Sequence, residues 1–167
     1  NIPAVYVLSK VGVKNVINTD HRMGITTLNE DHYGLSLTLG GGEVTLLDMV
    51  FAFSVFANGG VMIGEPVPED ERLPGYRELQ PVAILRVEDK YGRVLKQYTA
   101  PETRQILSPQ LAYLITDILS DNQARIAAFG ADNKLQISRP AAVKTGTTND
   151  WRDAWTCLLY TSPSPRD

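Results

Sequence analysis

The 167-residue sequence predicts an α+β fold, and three observations predict it. Apolar residues recur at helical spacing in several windows of ten to fifteen residues. Elsewhere they alternate with polar residues on either side of short turn signals, the pattern of an antiparallel hairpin. These helices and hairpins follow one another without the strand-helix-strand rhythm of a doubly wound sheet. At 43% hydrophobic and 21% charged residues, the chain has the composition of one folded domain, or part of one, able to bury a core.

Residues 1 to 23 read as one or two short helices: Asn1 can cap, Pro3 suits a first turn, and Val5, Leu8, Val11 and Val16 share a face. "HRMG" closes that unit, and a polar loop through "DHYG" leads to "LGGGEVTLLDMVFAFSVFANGG". There the glycines precede a helix that is apolar nearly all round, and "NGG" supplies its stop. This helix is expected to be the most deeply buried. Residues 64 to 80, "GEPVPEDERLPGYRELQ", hold three prolines and an acidic cluster, the composition of a solvent-exposed connector. "PVAILRVED", "KYG" and "RVLKQY" predict a hairpin, and "LSPQLAYLITDILSD" a helix with Ser108 as its cap and Pro109 at its first position. After a polar stretch, "RPAAVKTGTT", "ND" and "WRDAWTCLLY" read as two strands joined by a tight turn.

Several function classes fall away on composition. A net charge of -3, with Lys and Arg scattered, offers no footprint for nucleic acid. Cys157 is the single cysteine and His21 and His32 the only imidazoles, so no metal site at zinc spacing is expected and no internal disulfide can form. The longest apolar run is interrupted by Asp48 and is too short to span a bilayer, which takes ~20 residues. No basic flank or leader pattern opens the sequence, so a membrane anchor or export signal is expected only outside this segment. "LGGGEVT" lacks the Gly-Lys-Ser/Thr ending of a phosphate loop and reads as helix entry. His21 and His32, without a nucleophile elbow, read as surface or loop histidines, and "PEDER" as a solvated face.

Chemistry concentrates in "VKTGTTND". In an extended run Thr145 and Thr147 share one face, Lys144 and Gly146 the other. A side-chain-free position within a strand marks close approach by a ligand or another backbone, so an extended peptide could lie along this edge as an added strand. Lys144 would offer such a peptide's terminal carboxylate a point charge, and the threonines short orienting hydrogen bonds. Taken alone, Lys-Thr-Gly fits an ordinary strand ending as well, and its surroundings decide.

"RPAAVKTGTTNDWRDAW" resembles the third motif of the penicillin-recognising serine transpeptidases, through Arg139, Pro140, the second threonine pair, and Arg152, Asp153, Ala154 and Trp155. "GLSLTLGGGEVTLLDMVFAFSVFANGGV" resembles the long helix segment of class A (bifunctional) penicillin-binding proteins, and "NIPAVYVLSKVG" the segment after their Ser-x-Asn motif. The resemblance runs over residues 1 to 156. It implies a β-lactamase/transpeptidase-like partial domain with an antiparallel sheet flanked by helices. It further implies that Asn1 is the last residue of Ser-x-Asn, and that the Ser-x-x-Lys pair carrying the nucleophile lies outside the sequence.

By this resemblance Asn1 and Lys144 are catalytic: Asn1 orients the substrate amide, and Lys144 holds the motif serine and attracts the substrate carboxylate. Thr145, Gly146 and Thr147 bind substrate, with the Thr147 N–H as one oxyanion-hole donor. The implied reaction is D,D-transpeptidation of peptidoglycan stem peptides ending in D-Ala-D-Ala through a serine acyl-enzyme, with β-lactams as mimics and no metal or organic cofactor. The implied place is the extracytoplasmic face of a bacterial membrane, with a glycosyltransferase domain upstream, and this segment alone is expected to be inactive. A penicillin-sensing receptor domain and a serine β-lactamase share the motifs, but the length between Asn1 and Lys144, with its inserted hairpin, argues for the synthases. Trp151 and Trp155, on one side of the second strand, read as packing. "CLLYTSPSPRD" departs from the family pattern, so residues 157 to 167 are expected to be a foreign ending, of adapter or vector origin, that docks badly or is disordered.

Overall fold

A computed structural model describes residues 1–148 and 152–160. Five helices, α1 (Ile2–Val11), α2 (Val13–Met23), α3 (Leu46–Ala57), α4 (Pro109–Ser120) and α5 (Asn122–Phe129), accompany seven strands. The strands are β1 (Val61–Pro66), β2 (Leu79–Gln80), β3 (Arg86–Glu88), β4 (Val94–Gln97), β5 (Glu102–Gln105), β6 (Ala141–Thr147) and β7 (Ala154–Tyr160). Every strand pairing is antiparallel: a three-stranded sheet in the order β2-β1-β5, and the ribbons β3-β4 and β6-β7. The α+β expectation therefore holds.

The core gathers where α2, α3, β1 and β2 meet. Met23, Ile25, Leu28, Phe51, Ala52, Val55, Met62 and Leu79 form one buried cluster, with Val55, Met62 and Leu79 fully enclosed. Each such side chain contributes about 1.5–3 kcal/mol by leaving water. Helix α3 begins at Thr45, whose hydroxyl accepts the Asp48 N–H at 3.1 Å, and Asp48 then turns inward. Its carboxylate accepts from the Thr26 N–H and hydroxyl at 2.9 and 2.7 Å and from Arg77 at 2.9 Å, so the buried charge is paired and hydrogen-bonded. Among the described helices α3 has the most buried residues, yet Leu46, Leu47 and Val50 on its other side are exposed.

Residues 64 to 80 are no simple connector. Gly64 to Pro66 complete β1, Val67 and Leu79 are buried, and Arg77 reaches the Asp48 carboxylate and the Gly24 carbonyl. Pro66 is tolerated because the β1–β5 pairing has ended at Gly64–Glu102, while toward β2 the next donor is the Val67 N–H, which reaches the Glu78 carbonyl at 2.9 Å. Gly64 is dictated by its neighbour: a Cβ there would lie 2.3 Å from the Gln80 carbonyl oxygen. His21 is likewise buried, against the surface reading. It stacks on Tyr76 at 3.9 Å, and its Nε2 lies 3.1 Å from the Leu28 carbonyl, while His32 is exposed.

The β3-β4 hairpin forms as expected, its turn seated by Asp89, whose carboxylate accepts the Tyr91 and Arg93 N–H groups at 2.9 and 3.0 Å. Ser108 caps α4 as read, accepting the Leu111 N–H at 3.3 Å. The polar stretch after it hides α5, capped by Asp121.

Candidate active site

Strand β6 carries "AAVKTGT" and is paired on one edge by β7, in a register that sets Lys144 opposite Cys157, Thr145 opposite Thr156, Gly146 opposite Trp155 and Thr147 opposite Ala154. Among the described residues no strand pairs with the other edge. Ala142 and Val143 are buried and anchor the first half of the strand, which packs on α4. From Lys144 onward it emerges: Lys144, Gly146 and Thr147 are exposed and Thr145 is half-buried. Buried alanine and valine thus fix the strand that presents the polar residues after them.

Around Gly146 there is room. A Cβ built on it would meet no heavy atom within 4 Å among the described residues, so none of them requires glycine there. Lys144 turns its ammonium back to the Thr145 carbonyl. The structure thus brings Lys144, Thr145, Gly146 and Thr147 together on one strand with an unpaired edge. Asn1 stands apart in the sequence of elements, exposed at the start of α1, which packs chiefly on α2 and the 3-10 helix Leu35–Leu39. Its side chain makes no capping bond.

The described ladder of this hairpin closes at the Thr147–Ala154 pair. Its base is clamped by Thr148, whose N–H donates to the Asp153 carbonyl at 3.1 Å and whose hydroxyl accepts the Asp153 N–H at 2.8 Å. That clamp was missed in the sequence, although a threonine just past a strand is a common source of such bonds. The "ND" turn and Trp151 lie outside the described residues; Trp155 is half-buried. Residues 157 to 160 pair in β7 against 141 to 144, with half-buried Cys157 and Leu159 alternating along the ladder, and residues 161 to 167, the rest of the tail, lie outside the described residues. Burial raises the Cys157 thiol pKa, with Lys144 opposing the shift.

No family model matches the chain. Among curated proteins it is 32% identical over 155 residues to penicillin-binding protein 1A of Aquifex aeolicus, covering 93% of this chain and 18% of that protein. It is also 32% identical over 164 residues to the protein of the same name from Clostridium acetobutylicum, covering 95% of this chain. The chain thus spans about a fifth of the length of these relatives. Among solved structures, the penicillin-binding protein PonA1 of Mycobacterium tuberculosis matches over 93% of this chain and 40% of its own, with a TM-score of 0.67 and 22% identity, a likeness of fold.

Proposed function

The chain belongs to the penicillin-binding protein family and has the fold of its transpeptidase domains, and from that premise we propose that it supplies the substrate-binding edge of a peptidoglycan D,D-transpeptidase. The observation that carries the proposal is the open space at Gly146, on a strand with an unpaired edge, beside Lys144 and the Thr145 and Thr147 hydroxyls. An extended peptide ending in D-Ala-D-Ala adds to β6 as a strand, its backbone close to Gly146 and its carboxylate held by the lysine and the two threonines.

In this reading the Thr147 N–H is one donor to the oxyanion that forms when a serine attacks the penultimate D-alanine carbonyl. Such a donor, in other enzymes, is worth about 3 kcal/mol of barrier. The serine belongs to a Ser-x-x-Lys that this sequence does not contain, so the complete reaction is that of a longer protein. There Asn1 orients the substrate amide from the opposite wall. β-Lactams occupy the same edge as substrate mimics; PonA1, of like fold, has been solved in complex with penicillin V. Such a protein works on the extracytoplasmic face of the bacterial membrane, where wall peptides are, and a glycosyltransferase domain accompanies it.

Acylation of the full-length protein by a labelled penicillin tests the assignment. Lys144→Ala is expected to slow acylation by roughly 100-fold or more, whereas Thr147→Ser, which keeps both the hydroxyl and the backbone donor, changes it only a few-fold. Equal rates for the two variants would remove Lys144 from the machinery.

A further inference from the structure

At the foot of β6, away from the edge just described, lies a cavity of about 260 Å³ lined by Ser120, Asn122, Arg125, Gln136, Ser138 and Arg139, among others. Arg125 and Arg139 line it, and among the described residues no carboxylate does. Arg125 is partly buried, yet its Nη1 donates to the Asn122 amide oxygen at 3.0 Å and its Nη2 to the Leu119 carbonyl, both neutral acceptors. Among the described residues no carboxylate forms an ion pair with Arg125. The contrast with Arg77 is direct: where this fold buries a guanidinium for its own stability, it provides Asp48 at 2.9 Å.

The neighbouring amides are oriented by that arginine. Because the Asn122 oxygen accepts from Arg125, its NH2 group is the end that donates, to the Gln136 oxygen at 2.7 Å. Gln136 therefore has its acceptor engaged and its own NH2 left to donate. The remaining Arg125 N–H groups, the Gln136 NH2 and the Ser138 hydroxyl make a donor-rich lining with a fixed positive charge. A partly buried charge without a counter-charge is unfavourable, and a planar two-oxygen anion fits a guanidinium fork. We propose that this cavity is a binding site for a carboxylate group, with Arg125 taking up its charge. Ala141 is three residues from Lys144, about 10 Å along the strand, so the site is distinct from the transpeptidation edge and stands whether or not that reading holds.

The test is a titration of the chain with succinate, followed through the Gln136 side-chain NH2 resonances, which every variant below retains. N-acetyl-D-alanyl-D-alanine presents the same group from a peptide, and inorganic phosphate serves as a competitor of different shape. A saturable shift is expected, at least ten-fold weaker in Arg125→Gln and weaker for phosphate than for either carboxylate. Tighter binding of the peptide assigns the carboxylate to a peptide end, and equal binding to a free small acid. Asn122→Asp places a carboxylate against the guanidinium, so it should abolish the response while raising the thermal midpoint, which guards against a variant that merely unfolds. Lys144→Ala should leave the response intact. A non-saturable shift, unchanged affinity in Asn122→Asp, or loss of the response in Lys144→Ala would overturn the assignment.

Discussion

At Gly146 the absent side chain serves no contact with the described residues, whereas at Gly64 it is imposed by the Gln80 carbonyl 2.3 Å from where a Cβ would stand. The two glycines therefore separate function from folding. Gly146→Ala is expected to leave stability within about 0.5 kcal/mol and to cut penicillin acylation of the full-length protein at least ten-fold, while Gly64→Ala costs about 1–3 kcal/mol through overpacking. Urea unfolding beside acylation kinetics distinguishes them, and a Gly146→Ala protein that acylates normally would mean the ligand does not approach there. Asp20 makes a further residue-scale case: burial pushes its carboxyl up to about 6 from 3.8. Between those values the folded chain holds a proton that the unfolded chain has released, so stability falls as pH rises from about 4 to 6 and stays lower above. At about 1.4 kcal/mol per unit the loss reaches up to about 3 kcal/mol. Asp20→Asn should remove that slope and raise the urea midpoint at pH 7. Lys144, Thr145, Gly146 and Thr147 were legible because they are contiguous and a strand's alternation places them without tertiary knowledge. Arg125 and Gln136 were not, since only the packing of α5 against the approach to β6 brings them together.

Helices announced themselves where local chemistry agrees with the fold: Ser108 before Pro109 at α4, and "NGG" after the apolar run of α3, whereas the Thr45 cap of α3 was not read. β1 and β2 stayed hidden because Gly64, Pro66 and the acidic run carry the composition of a loop, and their strand character depends on pairing with β5 and on burying Val67 and Leu79. What fastens that segment is the Asp48–Arg77 pair, together with the stack of Tyr76 on His21 and the Tyr76 hydroxyl donating to Asn29 at 2.5 Å. Removing one partner leaves the other charged and enclosed. Asp48→Ala is thus expected to destabilise by about 3–5 kcal/mol, and Asp48→Leu combined with Arg77→Met by less, as a thermal double-variant cycle would show. Equal losses would mean the pair's charge is of no consequence to how residues 67 to 78 are held.

Across its described residues the molecule buries one core cluster and leaves several apolar faces in water. On α4, Leu111, Leu114, Ile115 and Ile118 form an exposed stripe at helical spacing, to one side of the buried Ala112, with Ile118 65% exposed. Ile2 and Tyr6 do the same on α1, and Leu46, Leu47 and Val50 on α3. Scattered exposed leucines are ordinary, but stripes that repeat every three or four residues are faces made to be covered. This agrees with a chain that spans 18% of the Aquifex relative's length. In isolation these faces must find each other. The chain is therefore expected to self-associate as its concentration rises, and a Leu114→Lys, Ile118→Lys double variant should shift it toward monomer without lowering its thermal midpoint, because neither side chain belongs to the core cluster. Light scattering across a concentration series, read beside thermal melts, decides the matter. A chain that stays monomeric throughout, or a double variant that melts early, would show that the α4 stripe already supports the fold from within.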